Sequence, residues 1–218
     1  QIPMKTQDAQ GQAAARMMII MPLLDDHLDP KSIVELKKRL AKLLVEKSYR
    51  EGDFTLTSGR KSDYYFDCRQ TALHPEGAWL IGDLFLDMLR DVDARGVGGM
   101  TLGADPLVTA VSVLSHLAGR PLPGFIIRKQ AKGHGTNQYL EGMANFAPGD
   151  KVALLEDVVT TGGTLVKSCQ RARDAGLEVV AVLCVLDREE GGASCLADAG
   201  YALRSIFNRR ALVEAGGK

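Results

Sequence analysis

The sequence has no excess of charge of either sign and no long apolar run. Its 27 Lys and Arg residues balance 27 Asp and Glu residues, so the formal net charge is zero. This balance disfavours a protein that coats nucleic acid or an anionic membrane through bulk charge, and any anion must be bound locally. The apolar stretch at residues 17–24 is far too short to cross a bilayer. Acidic residues flank it at Asp8 and Asp25, which disfavours a signal peptide, so we expect a cytoplasmic protein.

Several familiar motifs are also missing. The cysteines have no C-x-x-C spacing, so neither a zinc knuckle nor a small disulfide scaffold is indicated. There is no G-x-x-x-x-G-K-[S/T] P-loop, and no G-x-G-x-x-G follows a predicted strand, which disfavours a dinucleotide-binding fold. With 218 residues, 45% hydrophobic and 25% charged, the chain fits one globular α/β domain with a small N-terminal addition.

The first part of the chain divides into an extension and the start of the domain. Residues 1–28 show no sustained periodicity and are predicted to be a loosely ordered or processed extension, followed by a domain at 29–218. Asp29 and Pro30 predict the start of an amphipathic helix that continues to about residue 49. Residues 54–67 predict a hairpin-like pair of short strands.

From residue 75 onward, apolar strands alternate with helices. We predict helices at 107–118 and 164–175, preceded by one that begins at Pro75. The predicted strands lie at 97–102, 124–127, 152–155 and 179–186. This alternation predicts βαβ units with right-handed crossovers and a parallel sheet that is covered on both faces.

The strand predicted at 152–155 is followed by chemically distinctive residues. Glu156 and Asp157 are expected at its carboxyl end, where α/β sheets bind their ligands. The sequence Thr-Thr-Gly-Gly-Thr at 160–164 then begins a helix, and its glycines let backbone N–H groups face an anion. Because the neighbouring acids can accept hydrogen bonds from vicinal hydroxyls, the expected ligand is a ribose 5-phosphate.

A second group of residues is strongly basic. Three cations and a histidine occur between Arg128 and Gly135, with no acid before Glu141. Such a stretch is unfavourable as a packed element but suits a mobile loop that closes on a polyanion, although an isolated basic loop is more often a solvated face.

Both segments match known motifs. Residues 152–164 resemble the phosphoribosyl-pyrophosphate (PRPP) binding motif of type I phosphoribosyltransferases, with Glu156 where many members have Asp. The pattern R-K-x-x-K-x-H-G at 128–135 looks like the catalytic loop of orotate phosphoribosyltransferases. Residues 54–67 resemble that family's F-T-L-x-S-G-x-x-S-x-Y signature, except that Thr57 replaces a frequent Lys. Residues 101–106 occupy the place of the pyrophosphate loop, where a lysine is often found and this chain has Asp105-Pro106.

A further motif concerns the base. Residues 186–191 are similar to the family's D-R-x-E motif, in which the Arg contacts orotate. The guanidinium of Arg188 could grip a carboxylate bidentately and so separate orotate from uracil. In isolation, Arg188 would more often pair with Glu189 or Glu190.

The resemblance implies the fold and the reaction. The fold would be the type I phosphoribosyltransferase fold, a central mostly parallel sheet flanked by helices, with a small hood formed mainly by residues 29–70 with C-terminal contributions. The reaction would join orotate to PRPP, giving orotidine 5′-monophosphate and pyrophosphate in UMP biosynthesis. Mg²⁺ would be carried mainly by PRPP, without dedicated protein ligands. The enzyme would be a homodimer with shared active sites and no nucleic-acid or membrane partner.

The resemblance also assigns roles to individual residues. Lys132 and Asp157 would be catalytic. The orotate-binding residues would be Tyr65, Phe66, Thr160 and Arg188. PRPP and pyrophosphate would be bound by Arg128, Lys129, Lys132, His134, Glu156, Asp157, Val158, Val159, Thr160, Thr161, Gly162, Gly163 and Thr164.

Two alternatives remain at this point. A phosphoribosyltransferase for another base would keep the PRPP motif but would not need Arg188 or the basic loop. A regulatory protein could use the same fold to sense PRPP without catalysis. Such a protein could lack Lys132 or carry a basic surface for nucleic acid.

Overall fold

A computed structural model describes residues 30–55, 61–131 and 139–217, and these form eight strands and seven α-helices. The strands are β1 (Tyr49–Thr55), β2 (Lys61–Phe66), β3 (Gly96–Met100), β4 (Gly124–Ile127), β5 (Leu140–Glu141), β6 (Lys151–Val159), β7 (Glu178–Asp187) and β8 (Leu203–Asn208). The helices are α1 (Pro30–Lys47), α2 (Arg69–Ala72), α3 (Pro75–Met88), α4 (Asp105–Leu117), α5 (Gly163–Asp174), α6 (Gly192–Asp198) and α7 (Arg209–Gly216). The extension predicted at residues 1–28 lies outside the described residues.

The main sheet has six strands in the order β5-β4-β3-β6-β7-β8. All neighbouring pairs are parallel except β4 and β5, which run antiparallel. Strands β1 and β2 form a separate antiparallel pair. The structure therefore confirms the predicted mostly parallel sheet flanked by helices. Among the described residues, no helix has both the length and the apolar character that crossing a bilayer requires.

Strand β6 separates two apolar layers because successive side chains point to opposite faces of a sheet. Ala153 and Leu155 belong to a core that includes residues of α1, α3, α4 and α7. Val152 and Leu154 belong to a second core with residues of α5 and α6. All four side chains are completely buried, which explains why this segment is apolar without alternation.

Several predicted boundaries differ from those observed, including the end of the strand predicted at 97–102, which is at Met100. The first helix ends at Lys47, and Tyr49 instead begins β1, where it pairs with Phe66. Strand β6 continues to Val159, so Glu156 and Asp157 lie within the strand rather than after it. Strand β6 can continue to Val159 because β7 pairs with it along its whole length. The sequence prediction also omitted the short elements α2, β5, α6, β8 and α7.

The glycines of β3 allow two other elements to approach its backbone. A Cβ at Gly98 would lie 2.2 Å from the Phe125 ring, and one at Gly99 would lie 2.3 Å from the Ala104 Cβ and 2.4 Å from the Leu155 carbonyl oxygen. The contact at Gly99 involves backbone, which cannot rotate away as a flexible side chain can. This strand is therefore glycine-rich because of its packing.

We predict that Gly99→Ala lowers the free energy of unfolding by about 1–3 kcal/mol, the usual cost of overpacking a core. Chemical denaturation of the purified variant measures this change. Gly163→Ala is the matched control, because a Cβ there would meet no atom within 4 Å. Equal stabilities of the two variants would contradict the packing explanation.

Candidate active site

Four segments with candidate site residues meet at the carboxyl edge of the parallel strands. Residues 101–104 follow β3, Arg128 follows β4, residues 160–162 follow β6 and Arg188 follows β7. Backbone hydrogen bonds join neighbouring segments: the Thr101 N–H donates to the Ile127 carbonyl at 2.9 Å, and the Arg188 N–H donates to the Val159 carbonyl at 2.9 Å. Ligands of open α/β sheets bind at this edge, so the fold brings the predicted motifs to the expected place.

The Thr/Gly-rich loop surrounds a small cavity at the start of α5. Its volume is about 100 Å³, well below the roughly 300–1,000 Å³ of sites for drug-sized ligands, so it suits a single anionic group. Gly162 precedes the helix with φ of 81°, a conformation that favours glycine. The free N–H groups at a helix N-terminus attract anions. The cavity is lined by Glu156, Val158, Val159, Thr160, Thr161, Gly162, Gly163, Thr164 and Leu165.

Gly192, which sequence reasoning did not single out, supports this loop from the neighbouring helix α6. A Cβ at Gly162 would lie 2.8 Å from the Gly192 carbonyl oxygen. A Cβ at Gly192 would lie 2.3 Å from Cγ1 of Val159 and 3.0 Å from the Thr160 carbonyl oxygen. The paired glycines at 191–192 are the signal in the sequence that indicates this close approach.

Glu156 lines the cavity, and the carboxylate of the next residue, Asp157, lies against Gly103. Glu156 is 7% exposed, and its Oε1 accepts a hydrogen bond from the Asp157 N–H at 3.2 Å. Asp157 is half-buried, and its Oδ1 accepts from the Val158 N–H at 2.8 Å. Burial raises the pKa of Glu156 well above its ordinary range, and the charge of Asp157 raises it further, while Lys129 opposes the shift. A ligand that donates hydrogen bonds here would stabilise the charged acids.

Asp157 also contacts the segment after β3. A Cβ at Gly103 would lie 2.7 Å from Cγ of Asp157, so only glycine allows the loop this close. Asp105 begins α4 and accepts a hydrogen bond from Thr101 Oγ1 at 2.8 Å. Cys68 is completely buried nearby, and its pKa is raised well above the ordinary value by burial and then by Asp157. Its thiol is therefore inert as a nucleophile.

The structure describes only the first part of the predicted basic segment. Arg128 forms an ion pair with Glu141 at 3.0 Å, and Lys129 is exposed. The charge of Lys129 acts on Glu156, which links the basic segment to the acidic pair. Lys132 and His134 lie outside the described residues.

Arg188 occupies a buried polar environment. Its side chain is 6% exposed, its Nε donates to Glu190 at 2.7 Å and its Nη2 donates to Ser62 Oγ at 3.1 Å. The guanidinium also lies 4.3 Å from the ring centre of Tyr64. The ordinary pairing with a neighbouring acid is thus observed, but with the arginine side chain buried at the base of an open cavity. This cavity, of about 430 Å³, is lined by Asp53, Lys61, Ser62, Asp63, Tyr64, Arg188, Glu190 and Arg209.

The predicted aromatic surface of Tyr65 and Phe66 needs a correction. The two rings lie in different environments, because successive side chains of a strand point to opposite faces. Phe66 is 8% exposed and packs in the hydrophobic core, whereas Tyr65 is 42% exposed and contacts Phe54 with ring centres 5.6 Å apart. Tyr64 is the aromatic residue of β2 that lines the cavity with Arg188. Thr57, the departure from the family signature, lies outside the described residues.

Arg209 is a further residue that sequence reasoning missed. It comes from the C-terminal helix, forms hydrogen bonds of 3.0 and 2.7 Å with both carboxylate oxygens of Asp63, and lies 4.1 Å from the ring centre of Tyr64. Asp63 and Arg209 are 146 residues apart, and no local pattern marks either one. Only the tertiary fold reveals the contact.

Glu156 and Asp157 are the residues at this edge whose chemistry fits a metal ion. In the described ranges, no group of three or more His, Cys, Asp or Glu side chains is placed to hold a metal. Glu156 and Asp157 offer hard oxygen donors, which Mg²⁺ prefers, and Mg²⁺ commonly takes its other ligands from substrate phosphates and water.

Comparisons with known proteins agree with this geometry. No family model matches the chain. The orotate phosphoribosyltransferase of Thermosynechococcus vestitus is 49% identical over 177 residues, which are 81% of this chain and 93% of that protein. The orotate phosphoribosyltransferase of Nostoc sp. is 48% identical over 172 residues, which are 79% of this chain and 82% of that protein.

Solved structures show the same relationship. The crystal structure of Mycobacterium tuberculosis orotate phosphoribosyltransferase in complex with PRPP has a TM-score of 0.68 and 35% identity, covering 81% of this chain and 98% of that one. Adenine phosphoribosyltransferase from Trypanosoma brucei has a TM-score of 0.62 at 19% identity and covers 83% of this chain and 88% of that one, a likeness of fold alone. The sequence relatives, together with the motifs gathered at one edge of the sheet, show that this chain belongs to the orotate phosphoribosyltransferase family.

Proposed function

We propose that the carboxyl edge of the sheet binds PRPP and orotate side by side and transfers the phosphoribosyl group between them. The observation that carries this proposal is the meeting of an anion-sized cavity, an acidic pair and a buried arginine at that edge. The solved relative that binds PRPP supports the choice of substrate. The 5′-phosphate would occupy the cavity at 160–164, and the ribose hydroxyls would donate to Glu156 and Asp157.

Charge separation is the main demand of this reaction. The ring nitrogen of orotate attacks C1′ of PRPP and loses its proton to water, while the bond from C1′ to the pyrophosphate oxygen breaks. Positive charge therefore develops on the ribose and negative charge on the leaving group. Glu156 and Asp157 would stabilise the ribose cation. Arg128, Lys129, Lys132 and His134 would stabilise the departing pyrophosphate. Anchoring of the 5′-phosphate would hold C1′ in line for attack.

Orotate would be recognised through its carboxylate. Nη1 of Arg188 makes no hydrogen bond to the residues that the structure describes, while Nε and Nη2 are held by Glu190 and Ser62. The guanidinium is therefore oriented with one donor group to offer. Thr160 would add a hydroxyl between the two substrates, and Tyr65 remains a proposed contact on the exposed side of β2.

Magnesium would enter on the pyrophosphate of PRPP. When bound there, it would neutralise part of the substrate's negative charge. Glu156 and Asp157 would hold the ribose side of the complex through its hydroxyl groups or water. Phosphate oxygens and water would complete the ion's ligands, as this cation prefers.

An exposed apolar face supports the proposal of a homodimer. Leu73, Leu102 and Val113 are 72%, 63% and 55% exposed, and they line a cavity of about 950 Å³ together with Asp105 and Pro106. Extended apolar patches on a protein surface usually mark interaction sites. Leu102 precedes Gly103, which packs against Asp157, so a second copy seated here would lie next to the active site.

The first helix and the two-stranded sheet are proposed to form a hood beside the main sheet. Helix α1 and strands β1 and β2 would form the hood, completed by the C-terminal helix α7, which packs against α1.

A cytoplasmic location is supported by four free cysteines, three of them buried, as expected in a reducing compartment.

Substrate depletion tests the activity directly. With PRPP and Mg²⁺ present, we expect loss of orotate absorbance and formation of orotidine 5′-monophosphate, with uracil and hypoxanthine unchanged. Consumption of one of the other bases would instead indicate a phosphoribosyltransferase of different specificity. Binding of PRPP without turnover of any base would indicate a sensor protein.

We predict that Lys132→Ala lowers turnover by roughly 10²- to 10⁴-fold, the scale for losing a preorganised charge contact. Steady-state kinetics measure the effect, and Lys42→Ala, which removes an exposed cation of α1, serves as the control. Mixing the Lys132→Ala and Asp157→Asn variants should restore activity that neither has alone, if one subunit supplies Lys132 to its partner's site. Normal turnover of Lys132→Ala would refute its catalytic role, and no recovery on mixing would argue against shared sites.

We predict that Glu156→Gln makes the free protein more stable and less active. The pKa of Glu156 is raised in the folded state, so folding favours the protonated acid, and stability falls as pH rises above the pKa of the unfolded chain. Gln cannot ionise, so the variant does not lose stability in this way. Its melting temperature should exceed that of the wild type by an amount that increases from about pH 4 upward. Turnover should fall at least about tenfold, because a lost hydrogen bond from a charged group costs about 1.5–3 kcal/mol.

Thermal melts across pH and steady-state kinetics measure these two effects. Glu35→Gln, an exposed change in α1, should alter neither quantity. A stability gain that does not depend on pH would contradict the proposed origin in Glu156 ionisation.

A further inference from the structure

Arg171 of helix α5 is buried against the backbone of the basic segment. Its Nη1 donates to the Arg128 carbonyl at 2.6 Å, and its Nη2 donates to the Lys129 carbonyl at 3.2 Å. The residue is only 8% exposed. One guanidinium therefore holds two consecutive peptide groups of the segment that carries the proposed pyrophosphate-binding cations.

The same guanidinium contacts the other end of this segment. It lies 3.9 Å from the ring centre of Tyr139, which directly precedes β5. The Arg128 N–H donates to the Tyr139 carbonyl at 2.7 Å, and Ile127 pairs with Leu140 in the antiparallel strands. The described residues on both sides of 132–138 thus converge on Arg171.

The chemistry of these contacts is unusual for a buried cation. Among the described residues, Arg171 forms no ion pair with a carboxylate, and its partners are two carbonyl groups and an aromatic face. Burying a charge without an opposite charge is costly. Arginine can make this arrangement because its planar group donates several hydrogen bonds in fixed directions while stacking on a ring. A lysine could reach one carbonyl but could not reproduce both contacts and the stacking.

Helix α5 connects this contact to the phosphate cavity. It begins at Gly163 in the cavity loop, and Arg171 lies about two turns later on the same rigid element. The geometry points to Arg171 as a positioning residue. It holds Arg128 and Lys129 at a fixed distance from the proposed 5′-phosphate cavity, and with them the ends of the segment that carries Lys132. This inference rests on the proposed role of those cations in binding pyrophosphate.

We predict that Arg171→Met raises the KM for PRPP and lowers kcat/KM for PRPP by about 10- to 100-fold, the scale of a small misplacement of binding groups. The KM for orotate should stay unchanged, because Arg188 lies after a different strand. In the reverse reaction, the KM for pyrophosphate should rise while that for orotidine 5′-monophosphate stays the same. Arg171→Lys should fall between the wild type and Arg171→Met.

Matched variants separate positioning from a loss of stability. Arg173→Met removes a neighbouring exposed cation of the same helix, whose partners are Gln170 and Tyr201, and should leave all four KM values unchanged. A purely structural role of Arg171 would reduce the amount of active enzyme, lowering apparent kcat without moving any KM. Tyr139→Leu removes the stacking from the other side and should raise the KM for PRPP in the same direction, which tests the contact if Arg171→Met folds poorly.

The outcomes distinguish this inference from the proposed function. If Lys132→Ala is impaired while Arg171→Met and Tyr139→Leu keep the wild-type KM for PRPP and for pyrophosphate, Arg171 is not a positioning residue and the proposed function stands. If Lys132→Ala keeps normal turnover, the role of the basic segment is refuted, and any KM change in Arg171→Met has another origin. Equal increases in the KM for PRPP and orotate would also overturn the inference.

Discussion

The burial of two adjacent acids near the end of β6 is the constraint on which the active site depends. Strand β6 pairs with β3 only as far as Leu154 but with β7 as far as Val159, so its last residues extend past the end of β3. This longer strand places Glu156 in the lining of the small cavity at 160–164 and Asp157 against the loop after β3. Because burial raises the pKa of Glu156, the charged pair is unfavourable until a ligand donates hydrogen bonds to it.

Close backbone contacts make room for this arrangement. Gly103 allows its loop to approach Asp157, Gly162 allows the cavity loop to turn into α5, and Gly192 lets α6 support that loop. Larger side chains at these places would collide with atoms that cannot move easily. The glycines at 103, 162 and 192 therefore serve close packing, which explains why they occur after strands and at the beginnings of helices.

Two buried arginines, Arg188 and Arg171, place positive charge near the carboxyl edge of the sheet. Arg188 is held by Glu190, Ser62 and the Tyr64 ring. Arg171 is held by backbone carbonyls and Tyr139 and supports the basic segment. Arg188 is fixed by contacts with β2, and Arg171 by contacts with the residues that follow β4 and precede β5. The zero net charge of the chain thus conceals separated groups of opposite sign around one edge of the sheet.

By itself, the sequence determined the alternation of strands and helices, the Thr/Gly-rich loop, the acidic pair and the family resemblance, because these depend on residues close together in the chain. The tertiary structure decided what depends on distant residues. It extended β6 through pairing with β7, buried Phe66 in the core while Tyr64 lined the cavity, and brought Arg209 to Asp63. Local patterns carry no information about which distant backbone or side chain a residue will meet, and those meetings required the folded chain.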